Sequence, residues 1–369
     1  DIRERKGAFF TPRKWVELSQ KYLTEYLGKN WQEEYYLWDC AAGTGNLLAG
    51  LTNKYNIYAS TLDQADVNVT HERIDHGANL LKNHVFQFDF LNDDFSKLPQ
   101  SLQDIINDPE KRKKLVIYIN PPYAEAGTGQ GNKHKSNITN DNKTYFTYRT
   151  KIGNATNEMF ALFMAIIYDK IPGCILGQFS KLKFINGSNY KKFKSFFLAD
   201  YISGFIAHAN TFDNVKGKFP IGFTIWNTSV KSKIDTISTD IYNSNGDYLG
   251  IKNFYGKLPR GINQWISKFQ SDENLQIGFL DCSTPDFQNQ SYVFVDNIEK
   301  DKNDHRFHLY VSSRNILVGS IYLSVRHSMD ASWLNDRDQF SSPNNGWEND
   351  TEFQNDCLAY TLFHGQNRI

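Results

Sequence analysis

The sequence has few cysteines, and none is placed for a metal site or a redox pair. Only four occur in 369 residues, Cys40, Cys174, Cys282 and Cys357, and no two form a C-x-x-C pair. This spacing argues against a zinc site and against a disulfide framework. It favours a reducing, cytoplasmic environment.

Long apolar runs and a net charge are lacking as well. No apolar stretch approaches the roughly 18 residues that span a bilayer, and no basic and apolar signal sequence opens the chain. We therefore expect a cytoplasmic protein with no membrane partner. Because the sequence opens on Asp1 rather than methionine, we expect it to be part of a longer polypeptide. Lysine plus arginine and aspartate plus glutamate both number 41, so net charge alone does not indicate nucleic-acid binding.

The apolar runs that are present predict an α/β protein with a doubly wound parallel sheet. Seven runs have strand character: 35–40, 57–62, 84–88, 115–119, 174–179, 201–207 and 221–227. Helical stretches at 47–54, 66–81 and 157–170 lie between them, as in parallel βαβ units. The alternation stops after Asn227. We predict one domain at 1–230 and a smaller, mixed α+β region at 231–369.

Charge is unevenly distributed between these regions. Residues 231–369 hold 13 basic against 18 acidic residues, which leaves 28 against 23 for residues 1–230. The basic excess is greatest between 180 and 220, where only Asp200 and Asp213 oppose Lys181, Lys183, Lys191, Lys192, Lys194, Lys216 and Lys218. These lysines predict a surface that binds phosphates, with an ordinary solvated lysine face as the alternative.

Two further segments have local signatures. Residues 124–151 are polar and glycine-dotted without a clear period, which predicts a long loop. Its glycines, Gly127, Gly129 and Gly131, are not followed by the Lys-Ser/Thr pair of a P-loop, so we reject a nucleotide triphosphatase. The run Ser244-Asn245-Gly246-Asp247 predicts a hairpin turn.

The first candidate site is the loop Asp39-Cys40-Ala41-Ala42-Gly43-Thr44-Gly45-Asn46, where a predicted strand ends. Glycines at this point let a ligand approach the backbone closely. The loop is not a G-x-G-x-x-G dinucleotide fingerprint, and a tight turn that needs two glycines would have the same sequence.

The second candidate site is Asn120-Pro121-Pro122-Tyr123, directly after the apolar run 115–119. Two prolines fix the backbone and remove two donors. An amino group conjugated with a purine ring is a poor nucleophile, and the Asn120 carboxamide oxygen and the Pro121 carbonyl could each accept one of its hydrogens. Tyr123 would offer a stacking face to a base swung out of a duplex. The alternative is a Pro-Pro turn that merely ends a strand.

With these motifs, residues 7–230 resemble the N6-adenine DNA methyltransferases of restriction-modification systems, in the subgroup whose cofactor motifs precede the catalytic one. The N-terminal run Gly7-Ala8-Phe9-Phe10-Thr11-Pro12 is similar to the Phe-Thr-Pro element of that family. Cys40 and Ala42 replace the proline and cysteine common in its glycine loop. The resemblance implies a Rossmann-like S-adenosylmethionine-binding sheet in a bacterial, cytoplasmic enzyme.

The resemblance also implies residue roles. Those that would contact S-adenosylmethionine are Phe10, Thr11, Pro12, Asp39, Ala41, Gly43, Gly45, Thr61, Asp63, Asp89 and Phe90. Thr61 stands where the family usually has an acid for the ribose hydroxyls, with Asp63 two residues on. Asp89 would accept the cofactor's adenine amino group, and Phe90 would flank that ring. Phe219, in Gly217-Lys218-Phe219-Pro220, would be a second aromatic against the target base, although a core aromatic would look the same. His208 is left as structural, since the mechanism needs neither a base nor a metal.

The predicted function is therefore methylation of adenine N6 in double-stranded DNA, with base flipping, by the modification part of a restriction-modification system. Two alternatives fit the same residues. One is a methyltransferase of RNA or of a protein glutamine, which solves the same nitrogen chemistry. The other is a modification subunit that is active only with a specificity or restriction partner.

Overall fold

A computed structural model describes residues 10–123, 143–213, 215, 217–257, 259–271, 275–297 and 307–369. The chain divides into two compact units, Asp1–Gly256 and Lys257–Ile369. The first unit thus ends at Gly256 and not at residue 230, because a further hairpin extends its sheet. Among the described helices, none is long and apolar enough to cross a membrane.

A large sheet forms the centre of the first unit. Its strands are β1 (Tyr36–Asp39), β2 (Ile57–Thr61), β3 (Val85–Gln87), β4 (Leu115–Ile119), β5 (Ile175–Lys181), β6 (Ala199–His208), β7 (Pro220–Lys231), β8 (Thr236–Tyr242) and β9 (Tyr248–Tyr255). Their order is β3-β2-β1-β4-β5-β7-β6-β8-β9. Each predicted strand overlaps one of β1 to β7. The predicted α/β class is confirmed, with nine strands rather than seven.

The sheet is mixed rather than wholly parallel. The first five strands run parallel, whereas β7 is antiparallel to both β5 and β6. All five residues of β2 and of β4 are buried, as expected for strands covered on both faces. The predicted turn at Ser244–Asp247 is confirmed, since it joins antiparallel β8 and β9.

Helices of the first unit flank this sheet. Those described are α1 (Arg13–Leu27), α2 (Trp31–Glu34), α3 (Gln64–Asp75), α4 (Gln100–Asn107), α5 (Pro109–Lys113), α6 (Lys143–Ile152), α7 (Met159–Lys170), α8 (Lys183–Asn186) and α9 (Lys191–Phe196). The predicted helices at 66–81 and 157–170 correspond to α3 and α7. The predicted helix at 47–54 is wrong. Two short 3-10 turns, Asn46–Leu48 and Lys54–Asn56, lie there, separated by Gly50 with a left-handed φ of 86°.

The predicted loop at 124–151 is wrong in its last part, because α6 begins at Lys143. Tertiary contacts stabilise this polar helix. Tyr148 is buried, and its hydroxyl donates to the Asp169 carboxylate on α7 over 2.9 Å. Residues 124–142, with Gly127 to Gly131, lie outside the described part of the chain.

The second unit has its own small sheet and its own core. Strands β10 (Gly278–Cys282), β11 (Phe294–Asp296) and β12 (Phe307–Val311) pair antiparallel in the order β11-β10-β12. Helices α10 (Ile262–Ile266), α11 (Ile316–His327) and α12 (Thr351–Phe363) accompany it. Trp265, Leu309 and Ile321 belong to a separate apolar cluster of this unit. The predicted mixed α+β character of this region is therefore seen.

Candidate active site

The two candidate motifs lie at the same edge of the large sheet. Since β1 pairs parallel with β4, the loop after Asp39 and the segment after Ile119 leave neighbouring strands in the same direction. Strand β5 continues this carboxyl edge beside β4. Ligands of open α/β sheets bind at this edge.

The glycine loop after β1 has room for a ligand. Gly43 and Gly45 have φ values of 53° and 79°, and a Cβ added to Gly43 would meet no atom of the described residues within 4 Å. The Thr44 hydroxyl oxygen is buried without a hydrogen-bond partner among the described residues. An open backbone surface beside an unsatisfied polar atom fits a polar ligand.

Asp39 is the buried acid of this loop. Its carboxylate accepts the backbone N–H of Ala41 over 3.0 Å, while only 1% of the residue is exposed. Burial raises the pKa of this carboxyl to about 7, and the Ala41 hydrogen bond acts in the opposite direction.

The carboxamide of Asn120 is held at both ends. Its Nδ2 donates to the Thr11 hydroxyl over 2.7 Å, and its Oδ1 accepts the Tyr123 hydroxyl over 2.7 Å. Burial raises the pKa of Tyr123, so this hydroxyl stays protonated and remains a donor. One lone pair of Asn120 Oδ1 is left for a further donor. The Tyr123 ring is 8% exposed, so it has little open face for the predicted stacking.

Thr11 connects the predicted N-terminal element with both motifs. Besides its hydroxyl contact with Asn120, its carbonyl accepts Asn46 Nδ2 over 2.6 Å. Pro12 follows as the N-cap of α1, and Phe10 is half-buried. Residues 7–9 lie outside the described chain. The role of Asn46 was missed by sequence reasoning, although its position next to Gly45 was a usable signal.

The other predicted cofactor residues lie at the ends of β2 and β3. Thr61 is buried at the end of β2, and Asp63 is the N-cap of α3. The Asp89 carboxylate accepts Leu91 N–H, Asn92 N–H and Asn92 Nδ2 over 2.7 to 3.2 Å, which stabilises its own turn. Phe90 is 3% exposed and stacks on Phe163 with ring centroids 4.9 Å apart. Its predicted place beside a ligand ring stays a prediction.

Phe219 lies at the same edge of the sheet, on the side of β5 away from β4. It precedes β7, whose Ile221 pairs with Lys181 at the end of β5. The Lys181 ammonium lies 5.8 Å from the Phe219 ring centroid. His208, at the end of β6, accepts Asn210 N–H through Nδ1 over 3.0 Å, which fits the structural role expected for it.

The predicted basic surface divides into separate groups. Lys191, Lys192 and Lys218 are exposed, whereas Lys181 and Lys183 pair with Glu158. Lys194 donates to the carbonyls of Ile185 and Gly256, and burial lowers its pKa. Lys216 lies outside the described residues. Glu158 was missed because it precedes the stretch from 180 to 220 over which opposing charges were weighed.

The two motifs lie in a segment that matches a known protein family. Residues 2–176 match the N-6 DNA Methylase family. No curated protein matches the sequence. The structure of a DrdV–DNA complex shares the fold, with 16% identity and a TM-score of 0.51 over 76% of this chain and 33% of that chain.

Two further solved structures are similar at lower scores. A type I restriction-modification methyltransferase subunit from Streptococcus thermophilus is 17% identical, with a TM-score of 0.43 over 64% of this chain and 47% of its own. A nuclease-deletion mutant of the Type ISP restriction-modification enzyme LlaGI, in complex with a DNA substrate mimic, is 12% identical, with a TM-score of 0.45 over 75% and 34%. The chain thus spans between a third and a half of the length of these three structures. Both candidate motifs lie within residues 2–176, the segment that matches the N-6 DNA Methylase family.

Proposed function

We propose that this chain is the catalytic part of an adenine-specific DNA methyltransferase, which transfers a methyl group from S-adenosylmethionine to N6 of adenine. The observation that carries the proposal is the Asn120 carboxamide, fixed by Thr11 and Tyr123 beside the glycine loop. The family of residues 2–176 supports the same reaction.

The residues of the glycine loop fit S-adenosylmethionine. The open surface at Gly43 admits a ligand against the backbone, and the unsatisfied Thr44 hydroxyl offers it a polar contact. Asp39, Ala41 and Gly45 complete this loop, with Phe10, Thr11 and Pro12 on one side and Thr61, Asp63, Asp89 and Phe90 at the neighbouring strand ends. When bound, the cofactor supplies the methyl group on a positively charged sulfur.

Asn120 prepares the amino group of the target. Its Oδ1 accepts one N6 hydrogen with the lone pair that Tyr123 leaves free, and the Pro121 carbonyl accepts the other. As the new bond forms, positive charge develops on N6, and both acceptors stabilise it because they are already oriented. The proton that leaves N6 departs to water. Alignment of the nucleophile with the methyl group is the remaining contribution.

Double-stranded DNA is the proposed substrate, with its adenine turned out of the helix. Phe219 lies on the same edge as Asn120 and is the proposed stacking partner of that base, together with Pro122. The exposed Lys191, Lys192 and Lys218 are proposed to bind phosphates. Because the chain spans only part of its structural relatives, we also propose a specificity or restriction partner, either fused or separate.

The test is transfer of a labelled methyl group. We expect label from S-adenosylmethionine to appear as N6-methyladenine in duplex DNA, and Asn120→Ala to lower the rate by about 10² to 10³-fold, since it removes an oriented acceptor. Asn107→Ala, at an exposed asparagine that ends α4 outside the motif, is the matched control and should keep the rate.

Parallel assays with RNA and with a release-factor protein separate the alternatives. Label in either of these, and none in DNA, would show that the substrate assignment is wrong. If the cofactor binds and no substrate is labelled until a specificity subunit is added, the chain is a partner-dependent modification subunit.

A further inference from the structure

A buried carboxylate organises part of the predicted DNA-binding surface. Glu158 is the N-cap residue of α7, and its side chain is only 10% exposed. Lys181 Nζ lies 3.8 Å from its Oε2, and the Lys183 ammonium contacts its Oε1. The two lysine side chains are only 20% and 23% exposed. Glu158 and these two lysines are therefore largely shielded from water.

This cluster lies at the edge that carries the candidate active site. Ile119 pairs with Gln178, so the end of β5, with Lys181, lies beside the segment that follows β4 and begins with Asn120. On its other side Lys181 pairs with Ile221, two residues after Phe219. The cluster thus stands between the candidate catalytic segment and the candidate base-stacking residue.

Phe219 is held by close contacts in this position. The Lys181 ammonium lies 5.8 Å from the ring centroid, within the range of a cation–π interaction. On the chain side, a Cβ added to Gly217 would come within 2.3 Å of the ring. Only a glycine at position 217 therefore leaves space for the ring where it is. The Lys181 ammonium, in turn, is placed by Glu158.

The Glu158 carboxylate lowers the electrostatic cost of bringing Lys181 and Lys183 together. Two partly buried ammonium groups beside each other would repel, and one carboxylate between them lowers this cost. While they are paired, Lys181 and Lys183 are less available to phosphates than the exposed Lys191 and Lys192. If the carboxylate became neutral, both ammonium groups would have a reason to turn towards another anion.

We infer that Glu158 is a positioning residue of the proposed enzyme: it holds Lys181 against Phe219, and it keeps Lys181 and Lys183 from binding DNA phosphates. The inference rests on the proposed function, because it concerns the face that would receive the flipped base. It assigns the phosphate contacts to the exposed lysines and gives the buried pair a different task.

The first experiment measures how DNA affinity depends on salt, using the full chain and a fluorescent duplex. In Glu158→Gln the two lysines lose this carboxylate and become more available to phosphates, so the slope of log K against log salt becomes steeper by roughly 1 to 2, at about 0.9 per phosphate. Glu110→Gln is the matched control, since Glu110 pairs with Lys113 at the exposed surface. Its slope should equal that of the wild type.

Lysine substitutions test the same assignment from the other side. Lys181→Met should leave the salt slope unchanged, because the paired lysine does not contact a phosphate. Lys192→Met should lower it by about 0.9. Under single-turnover conditions, both Glu158→Gln and Lys181→Met should slow methylation about tenfold, because Phe219 loses its support. The concentration of S-adenosylmethionine that gives half of the maximal rate should not change.

A measurement without DNA covers the case in which Glu158→Gln alters the fold. Labelling of lysine amines in the wild type, read by mass spectrometry, should modify Lys181 and Lys183 more slowly than Lys192. Equal labelling, or a salt slope that falls in Lys181→Met, would overturn the inference while DNA methylation stands. A wild type that neither binds nor methylates DNA would remove the proposed function, and the inference with it.

Discussion

Individual residues of the candidate site are oriented before any ligand binds. Asn120 donates to Thr11 and accepts from Tyr123, so its carboxamide has one orientation. Such prearrangement matters because acceptors that need not reorganise stabilise a developing charge most effectively. Burying polar groups also costs stability. This cost is clearest at Asp39, whose buried carboxyl group has no cationic partner among the described residues.

Asp39 should make the stability of the protein depend on pH. Burial raises the pKa of its carboxyl from 3.8 to about 7, so between these values the folded protein holds a proton that the unfolded chain has released. Stability contributed by this group is complete below pH 4 and is lost as the pH rises to 7. The total loss is about 4 kcal/mol.

Asp39→Asn removes this titration and keeps a side-chain acceptor for Ala41. Without cofactor, we expect the variant to be more stable than the wild type at pH 8, with the difference disappearing near pH 4. Urea unfolding at several pH values measures it. An equal difference at pH 4 and pH 8 would show that folding does not raise the pKa of the Asp39 carboxyl.

At the scale of elements, the loop after β1 is where we propose that the cofactor binds. Gly43 has a left-handed φ of 53° with open space at its Cβ position, and Gly28, which ends α1, has a φ of 98° with equally open space. Both glycines have a positive φ, and they differ in location.

Alanine at each of these glycines separates strain from ligand contact. We expect Gly43→Ala to lose about 1 to 2 kcal/mol of stability, because it forces a side chain into a positive φ. Gly28→Ala should lose at least as much, because the φ of 98° and ψ of 162° at Gly28 are adopted almost only by glycine. Only Gly43→Ala should weaken S-adenosylmethionine binding, by tenfold or more, as measured by calorimetric titration. Equal affinity in the two variants would remove Gly43 from the cofactor site.

The strands could be predicted from the sequence because each is a short apolar run bounded by turns, as at Leu115–Ile119. The helix expected at 47–54 failed because one left-handed glycine, Gly50, outweighs an apolar period. Helix α6 was missed because a tertiary contact stabilises it. Tyr148 contacts Asp169, which lies 21 residues away in sequence.

Prediction of the candidate site shows the same limit. The glycine loop and Asn120 follow buried strands, so local sequence locates them. Glu158 lies 23 residues before Lys181, and only the pairing of α7 with the end of β5 brings their charges together. Burial likewise decides that Phe90 packs on Phe163. Interactions of this kind depend on the folded chain and have no local signature.

At the scale of the whole molecule, each of the two units has buried apolar residues of its own among those that the structure describes. Every residue proposed here for cofactor, base or phosphate belongs to the first unit. The second unit, which has more acidic than basic residues, therefore supplies none of the proposed contacts.

Equivalent cavities in the two cores should have different consequences. Ile225 and Ile321 are both fully buried, the first in the large sheet and the second in α11. Each change to alanine should cost about 2 to 5 kcal/mol. In scanning calorimetry, Ile225→Ala should lower the transition temperature of the first unit and Ile321→Ala that of the second. Stabilisation by S-adenosylmethionine should be weakened only in Ile225→Ala. A single transition shifted equally by both would show that the units unfold together.

Thr11 touches both halves of the site, through its carbonyl to Asn46 and its hydroxyl to Asn120. A ligand on the glycine loop that steadies Thr11 therefore steadies Asn120 as well. Such coupling is reciprocal by thermodynamic necessity: the factor by which the cofactor strengthens binding of the target base is the factor by which the base strengthens binding of the cofactor. Two hydrogen bonds that one threonine accepts would thus make the two proposed binding equilibria interdependent.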